Sequence, residues 1–172
     1  NCLRQRRLAN PFLLNNRRII FLLLALALGP GLLVNVVLKS HWGRARPIEV
    51  SAFGGLRDFS PAYVIAKQCR HNCSFVSGDA AMGYYLMVFL FIARKRAGAV
   101  ALGLVGVLTG SVIGLVRIAQ GAHFLSDVIF AGLLTVTVAW LLSMLMLRRD
   151  EEAAVIFLTD VAPGVISALA PK

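Results

Sequence analysis

The twenty residues IIFLLLALALGPGLLVNVVL, positions 19–38, contain no charged side chain. A hydrocarbon core about 30 Å thick is crossed by roughly 20 apolar residues wound as a helix, so this stretch alone is long enough to span a bilayer. Three more uncharged stretches follow at residues 80–93, 97–116 and 128–147. The first of these is short, and residues 74–76 can extend it at its start. Backbone groups in lipid must be paired within the segment, so all four read as helices rather than strands. Gly29-Pro30-Gly31 falls inside the first stretch, which lacks a signal-peptide cleavage pattern and reads as a retained helix. The expected fold is an all-α, polytopic transmembrane helix bundle, with helices at about 19–38, 74–93, 97–116 and 123–147. A loop over 39–73 joins the first two. Residues 1–150 form one membrane domain, and 151–172 a tail that reads as interfacial or disordered rather than as a fifth span.

Composition agrees. With 58% hydrophobic residues and a mean hydropathy of +0.76, the chain is too apolar for a soluble domain of 172 residues. A net charge of +10 would point to nucleic acid in a soluble protein. Here the cations sit between the apolar stretches, where membrane topology and phosphate binding account for them, and no nucleic-acid partner is expected. Arg4, Arg6, Arg7, Arg17 and Arg18 precede the first helix, Arg94, Lys95 and Arg96 separate the second from the third, and Arg148 and Arg149 follow the fourth. Threading four helices puts these clusters on one side, the cytoplasmic one by the positive-inside rule. The loop 39–73 and the turn 117–122 then share the opposite face. Against this assignment, the loop carries Lys39, Arg44, Arg46, Arg57, Lys67 and Arg70. The conflict eases if several of them serve a phosphate. Gly54-Gly55 and Ser60-Pro61 break the loop, and residues 61–68 can form a short interfacial helix.

Three motifs lie on the shared face. The first is Lys39-Ser40-His41-Trp42-Gly43-Arg44-Ala45-Arg46-Pro47. Lysine offers a compact charge and arginine a planar fork matched to phosphate oxygens, so Lys39 and Arg46 can converge on one anion; taken alone, they equally read as basic side chains snorkelling to headgroups. The second is Ser74-Phe75-Val76-Ser77-Gly78-Asp79, where Ser77 can cap a helix and Gly78 lets the backbone approach a ligand. In isolation it is an ordinary Ser/Asp cap. The third is Arg117-Ile118-Ala119-Gln120-Gly121-Ala122-His123-Phe124-Leu125-Ser126-Asp127. His123 and Asp127 are four apart and share a helical face. Asp127 can take the proton of one ring nitrogen, fix the tautomer and leave the other free to attack. A simple His–Asp pair at a helix start is the competing reading.

In this order and on one face, Lys-x6-Arg-Pro, Ser-Gly-acid and Arg-x5-His-x3-Asp resemble the type 2 phosphatidic acid phosphatase superfamily, over roughly residues 38–127. The resemblance implies a bacterial inner-membrane lipid phosphate phosphatase with its site on the periplasmic or external face. It also implies that these are the last four of six helices, with sequence missing upstream. Lys39, Arg46 and Arg117 would bind phosphate, Ser77 and Gly78 would contact its oxygens, His123 would become a phosphohistidine, and Asp127 would orient it. The substrate would be a membrane lipid phosphate monoester or diphosphate, and neither metal nor other cofactor would be needed. Two positions depart from the family pattern. Asp79 stands where a proton-donating histidine is usual, and an unperturbed aspartate with pKa ~3.9 is a poor acid at neutral pH. It can pair with an arginine instead, with water protonating the leaving group; His41 and His71 have no positional claim to that role. Val116 replaces the usual serine before Arg117. A non-catalytic lipid-phosphate-binding or scaffolding membrane protein is the alternative that Asp79 favours. Cys69 and Cys73, just before the second motif, are a disulfide candidate on a non-cytoplasmic face.

Overall fold

The computed structural model of the protein describes residues 16–93 and 95–147. Four helical rods run through it. The first, α1, is Asn16–His41, which is α-helical over Asn16–Leu26, π-helical over Ala27–Leu38 and α-helical again over Lys39–His41. The second, α2, is α-helical over Gly78–Tyr84 and tightens to a 3-10 helix over Tyr85–Phe91. The third and fourth are α3, Arg96–Ala119, and α4, Leu125–Met146. Among the described residues no strand forms; Val50 and Arg57 make an isolated bridge. The chain is an integral membrane protein: α1, α3 and α4 are each long and apolar enough to cross a bilayer. The tail 151–172, with Arg4, Arg6, Arg7, Arg94, Arg148 and Arg149, lies outside the described residues.

Local winding compensates for length. Wound wholly as α-helix, the 14 residues of Gly78–Phe91 would rise about 21 Å. With half of them at the ~2.0 Å rise of a 3-10 helix, α2 reaches about 25 Å, closer to the hydrocarbon thickness. The widened winding of α1 has a different consequence. Its buried stripe is Phe21, Ala25, Gly29 and Val34, and the Lys39 N–H closes onto the Val34 carbonyl, five residues back. In an α-helix five residues make about 1.4 turns and would carry Lys39 off this stripe. The π winding keeps it there, facing the bundle.

The α3 helix has an inside-out pattern suited to lipid. Leu104, Leu108 and Val112 are exposed, while Gly106, Gly110 and Gly114 are buried. Small residues let helices approach where no hydrophobic force drives them together. A Cβ on Gly110 would collide with the Tyr84 ring, and one on Gly83 would sit 2.7 Å from the Gly110 Cα. Gly110→Val is therefore expected to cost about 1–3 kcal/mol through overpacking, read as a lower thermal-inactivation temperature in detergent. Gly98→Ala, where an added Cβ meets nothing within 4 Å, leaves that temperature unchanged or raises it. Polar glue adds to the packing: the Tyr85 hydroxyl donates to the Leu22 carbonyl at 2.9 Å, and Tyr84 Oη lies 3.2 Å from Ser111 Oγ.

The loop between α1 and α2 and the α3–α4 turn do meet on one face. Ile48 N–H donates to the Gly121 carbonyl at 3.1 Å, and Ser77 N–H to the Asp127 carbonyl at 3.2 Å. Two details differ from expectation. Residues 74–76 do not extend α2, because Ser74 N–H is taken by the Arg44 carbonyl and the helix begins only at Gly78, capped by Ser77 Oγ. Residues 61–68 form turns, not a helix. Their backbone groups pair with the first motif: Trp42 Nε1 donates to the Ala62 carbonyl at 2.8 Å and Ala66 N–H to the Trp42 carbonyl at 2.9 Å. A short exposed helix nucleates poorly against such partners.

Candidate active site

At the α3–α4 turn the chain passes through Gly121, whose positive φ ends α3 and delivers His123 and Phe124 to the start of α4. Both His123 and Asp127 are buried, at 2% and 0% exposure. The expected direct hydrogen bond between them is not what forms. His123 Nδ1 lies 2.7 Å from the Ser74 carbonyl oxygen and 3.7 Å from Asp127 Oδ2. A carbonyl only accepts, so Nδ1 is the donor, and in the neutral ring the lone pair is on Nε2. The tautomer reserved for Asp127 in the sequence reading is thus set by a backbone oxygen of the second motif.

Asp127 acts around the histidine rather than on it. Its Oδ2 accepts from Ser74 Oγ at 2.5 Å and from Phe124 N–H at 2.9 Å, gripping residues on both sides of the imidazole. Its Oδ1 accepts from Arg44 Nη1 at 2.5 Å. Arg44 is itself buried at 2% exposure; its Nε donates to the Ser60 carbonyl and its Nη1 also to Ser126 Oγ. The guanidinium carbon stands 4.1 Å from the centroid of the Phe124 ring, a cation–π contact. So engaged, Arg44 is structural and has little left to offer a substrate. In the sequence it is one cation among six in the loop. The Arg-Ala-Arg run was visible, but its partner lies 83 residues away.

The remaining motif residues gather beside this core. Lys39 is within electrostatic range of Asp79, Arg46 and Arg117, and Asp79 within range of His123. Arg117 Nε pairs with Asp79 Oδ2 at 2.8 Å while its Nη1 donates to Gln120 Oε1. Gly78 is needed here for space: a Cβ would collide with Asn35 Oδ1 and lie 3.3 Å from Lys39 Nζ. Asn35, unmarked in the sequence, is fixed by donating to the Pro30 carbonyl at 2.8 Å. Arg46 is turned outward, its guanidinium donating to the Asn72 carbonyl. Ser77 is fully buried and accepts from Ala80 N–H. His41 is exposed on α1, where its Nδ1 contacts the Val37 carbonyl, and His71 lines an outer cavity. Cys69 and Cys73 are joined by a disulfide with their Cα atoms 5.6 Å apart. Against His123 lies a cavity of about 450 Å³ walled by Ile48, Phe53, Ile118 and Leu125.

The arrangement offers a buried imidazole, a cluster of Lys39, Asp79 and Arg117 near it with Arg46 at its edge, and an apolar recess, a set suited to a phosphoryl group on an apolar carrier. Comparison with known proteins bears on which. A family profile described as the PAP2 superfamily matches residues 18–151. A lipid A 4'-phosphatase of Francisella tularensis subsp. novicida is 43% identical over 135 residues, covering 78% of this chain and 61% of the relative. Lipid A 4'-phosphatases of Rhizobium leguminosarum and Rhizobium etli are 46% and 40% identical, covering 66% and 79% of this chain and 48% of each relative. The chain therefore spans about half to three-fifths of the length of these curated relatives. No solved structure matches it.

Proposed function

Because this chain belongs to the PAP2 superfamily, we propose that it hydrolyses phosphate esters of membrane lipids through a phosphohistidine on His123. The observation that carries the reading is the Ser74 carbonyl on His123 Nδ1, which makes Nδ1 the donor and Nε2 the free nitrogen of the neutral ring. Nε2 attacks phosphorus in line, the N–P bond forms as the ester P–O bond breaks, and the lipid oxygen leaves and takes a proton from water. Water then cleaves the N–P bond and inorganic phosphate departs. Lys39, Arg46 and Arg117 stabilise the equatorial oxygens where charge accumulates, the dominant contribution in phosphoryl transfer. Ser77 and Gly78 complete the cradle, and the recess of Ile48, Phe53 and Ile118 takes the apolar part next to the headgroup.

The names of the three relatives make a phosphorylated lipid A the leading substrate. We place the site on the periplasmic or external face of a bacterial inner membrane. Arg17, Arg18 and Lys95 at the opposite end of the rods support that orientation, and so does the disulfide. The test is phosphate release from purified protein over lipid A, phosphatidic acid, phosphatidylglycerol phosphate and undecaprenyl diphosphate, with and without chelator. Release from lipid A, unaffected by chelator, is expected; release that requires a divalent ion contradicts the cation-cradle mechanism.

In this scheme Asp79 holds Arg117 and is not the proton donor. Asp79→Asn keeps a hydrogen-bonding partner for Arg117 and is expected to lower kcat by less than ~10-fold, whereas loss of a general acid costs about 10²–10⁴-fold. A fall of the larger size, with the alkaline limb of the pH–rate profile gone, would return the donor role to Asp79.

A further inference from the structure

Outside the His123 cluster, the first-to-second motif loop lines an open recess of about 640 Å³ whose wall includes Arg46, Arg57, Lys67, Arg70, Glu49 and His71. Four cations thus face one carboxylate, and that carboxylate is already engaged. Glu49 Oε2 accepts from Arg46 N–H at 3.1 Å, and its Oε1 lies 3.8 Å from Arg57. Among the described residues, no carboxylate comes within 4.0 Å of Lys67 or Arg70. Like charges gathered in a concavity repel one another and focus a positive field into it.

The wall is fixed to the first motif and does not float above it. Ala66, Cys69 and Cys73 N–H groups donate to the carbonyls of Trp42, Gly43 and Lys39. The Cys69–Cys73 disulfide closes the segment, and the Asn72 carbonyl accepts twice from Arg46. Arg46 belongs to both places: its charge acts on Lys39, while its side chain lines the cavity. Arg46 is therefore the residue that links the Lys39 and Arg117 cluster to the basin of Lys67 and Arg70.

We propose that this basin binds a second phosphate of the same substrate headgroup, so that the protein selects headgroups bearing two separated phosphates. The inference rests on the phosphatase reading for what occupies the His123 site, but its test is a binding measurement that needs no turnover. In the His123→Ala background, in zwitterionic nanodiscs, the Kd is measured for three soluble glycan probes. One carries a phosphate on each of two rings, one carries both phosphates on one ring, and one carries a single phosphate. The separated bisphosphate is expected to bind at least ~10-fold more tightly than the equally charged one-ring probe, the scale of one or two charge-assisted contacts. Adding Lys67→Gln and Arg70→Gln should bring the two within about twofold while the monophosphate Kd, which reports an intact fold, stays put. Equal binding of the two bisphosphates before those substitutions, or a preference that survives them, overturns the proposal. So does a preference erased by anionic lipid in the nanodisc, which would assign the basin to neighbouring bilayer headgroups. Absent phosphate release with the binding preference intact would count against the phosphatase reading alone.

Discussion

His123→Ala is expected to lower phosphate release by more than ~10⁴-fold, the scale on which removal of a covalent nucleophile acts in a hydrolase. The imidazole has no substitute within the site. His41 is exposed on α1 and His71 lines the outer basin, away from the Ser74 carbonyl that sets the tautomer. Acid-labile radiolabel trapped on the parent protein by rapid base quench, and missing from the variant, checks the phosphohistidine itself. Binding of lipid phosphate should survive, because Lys39, Arg46 and Arg117 are untouched. A variant that still turns over at a tenth of the parent rate would sink the nucleophile assignment and favour a lipid-binding scaffold.

The second large effect is on stability. Arg44→Met leaves Asp127, at 0% exposure, with its Oδ1 facing no cation. Removing one partner of a buried pair strands an uncompensated charge and costs about 3–5 kcal/mol. Thermal inactivation in detergent, or the yield of folded protein, reads this loss. In Arg44→Met/Asp127→Asn the stranded charge is gone, while the amide oxygen can still accept from Phe124 N–H and Ser74 Oγ; more than half of the lost stability is expected to return. Activity should not return in full, because a neutral amide oxygen grips Ser74 and Phe124 less tightly than the carboxylate does. The grip of Asp127 on Ser74 and Phe124 sets the position of the imidazole, and a displacement of about 1 Å can cost on the order of 10²-fold in rate. Full recovery of activity would show that the pair stabilises the fold without positioning His123.

Much of the architecture could be read in advance because its cause is local. Four uncharged stretches, summed along the chain, are enough to give helices, since lipid forbids unpaired backbone whatever the neighbours are. Counting crossings put the three motifs on one face. The boundaries were less legible where a neighbour competed for backbone groups: Ser74 N–H went to Arg44, so α2 starts at Gly78, and residues 61–68 paired with Trp42 instead of with themselves. Winding was invisible too. Nothing in the spacing of Val34 and Lys39 announces a π turn, yet that turn aims Lys39 inward.

The chemistry divides in the same way. By itself, the sequence determined the membrane class, the order of the rods, and which three motifs are candidates to meet a phosphate, because hydropathy and motif spacing are properties of the chain taken in order. Only the tertiary structure decided who holds whom. His123 Nδ1 had Asp127 four residues away as its obvious acceptor, but the Ser74 carbonyl, 49 residues back, stands closer. Asp127 is left to bind Arg44 across 83 residues. A buried donor takes whichever acceptor the folded loops bring within about 3 Å, and that is settled by the path of the chain through space, not by distance along it.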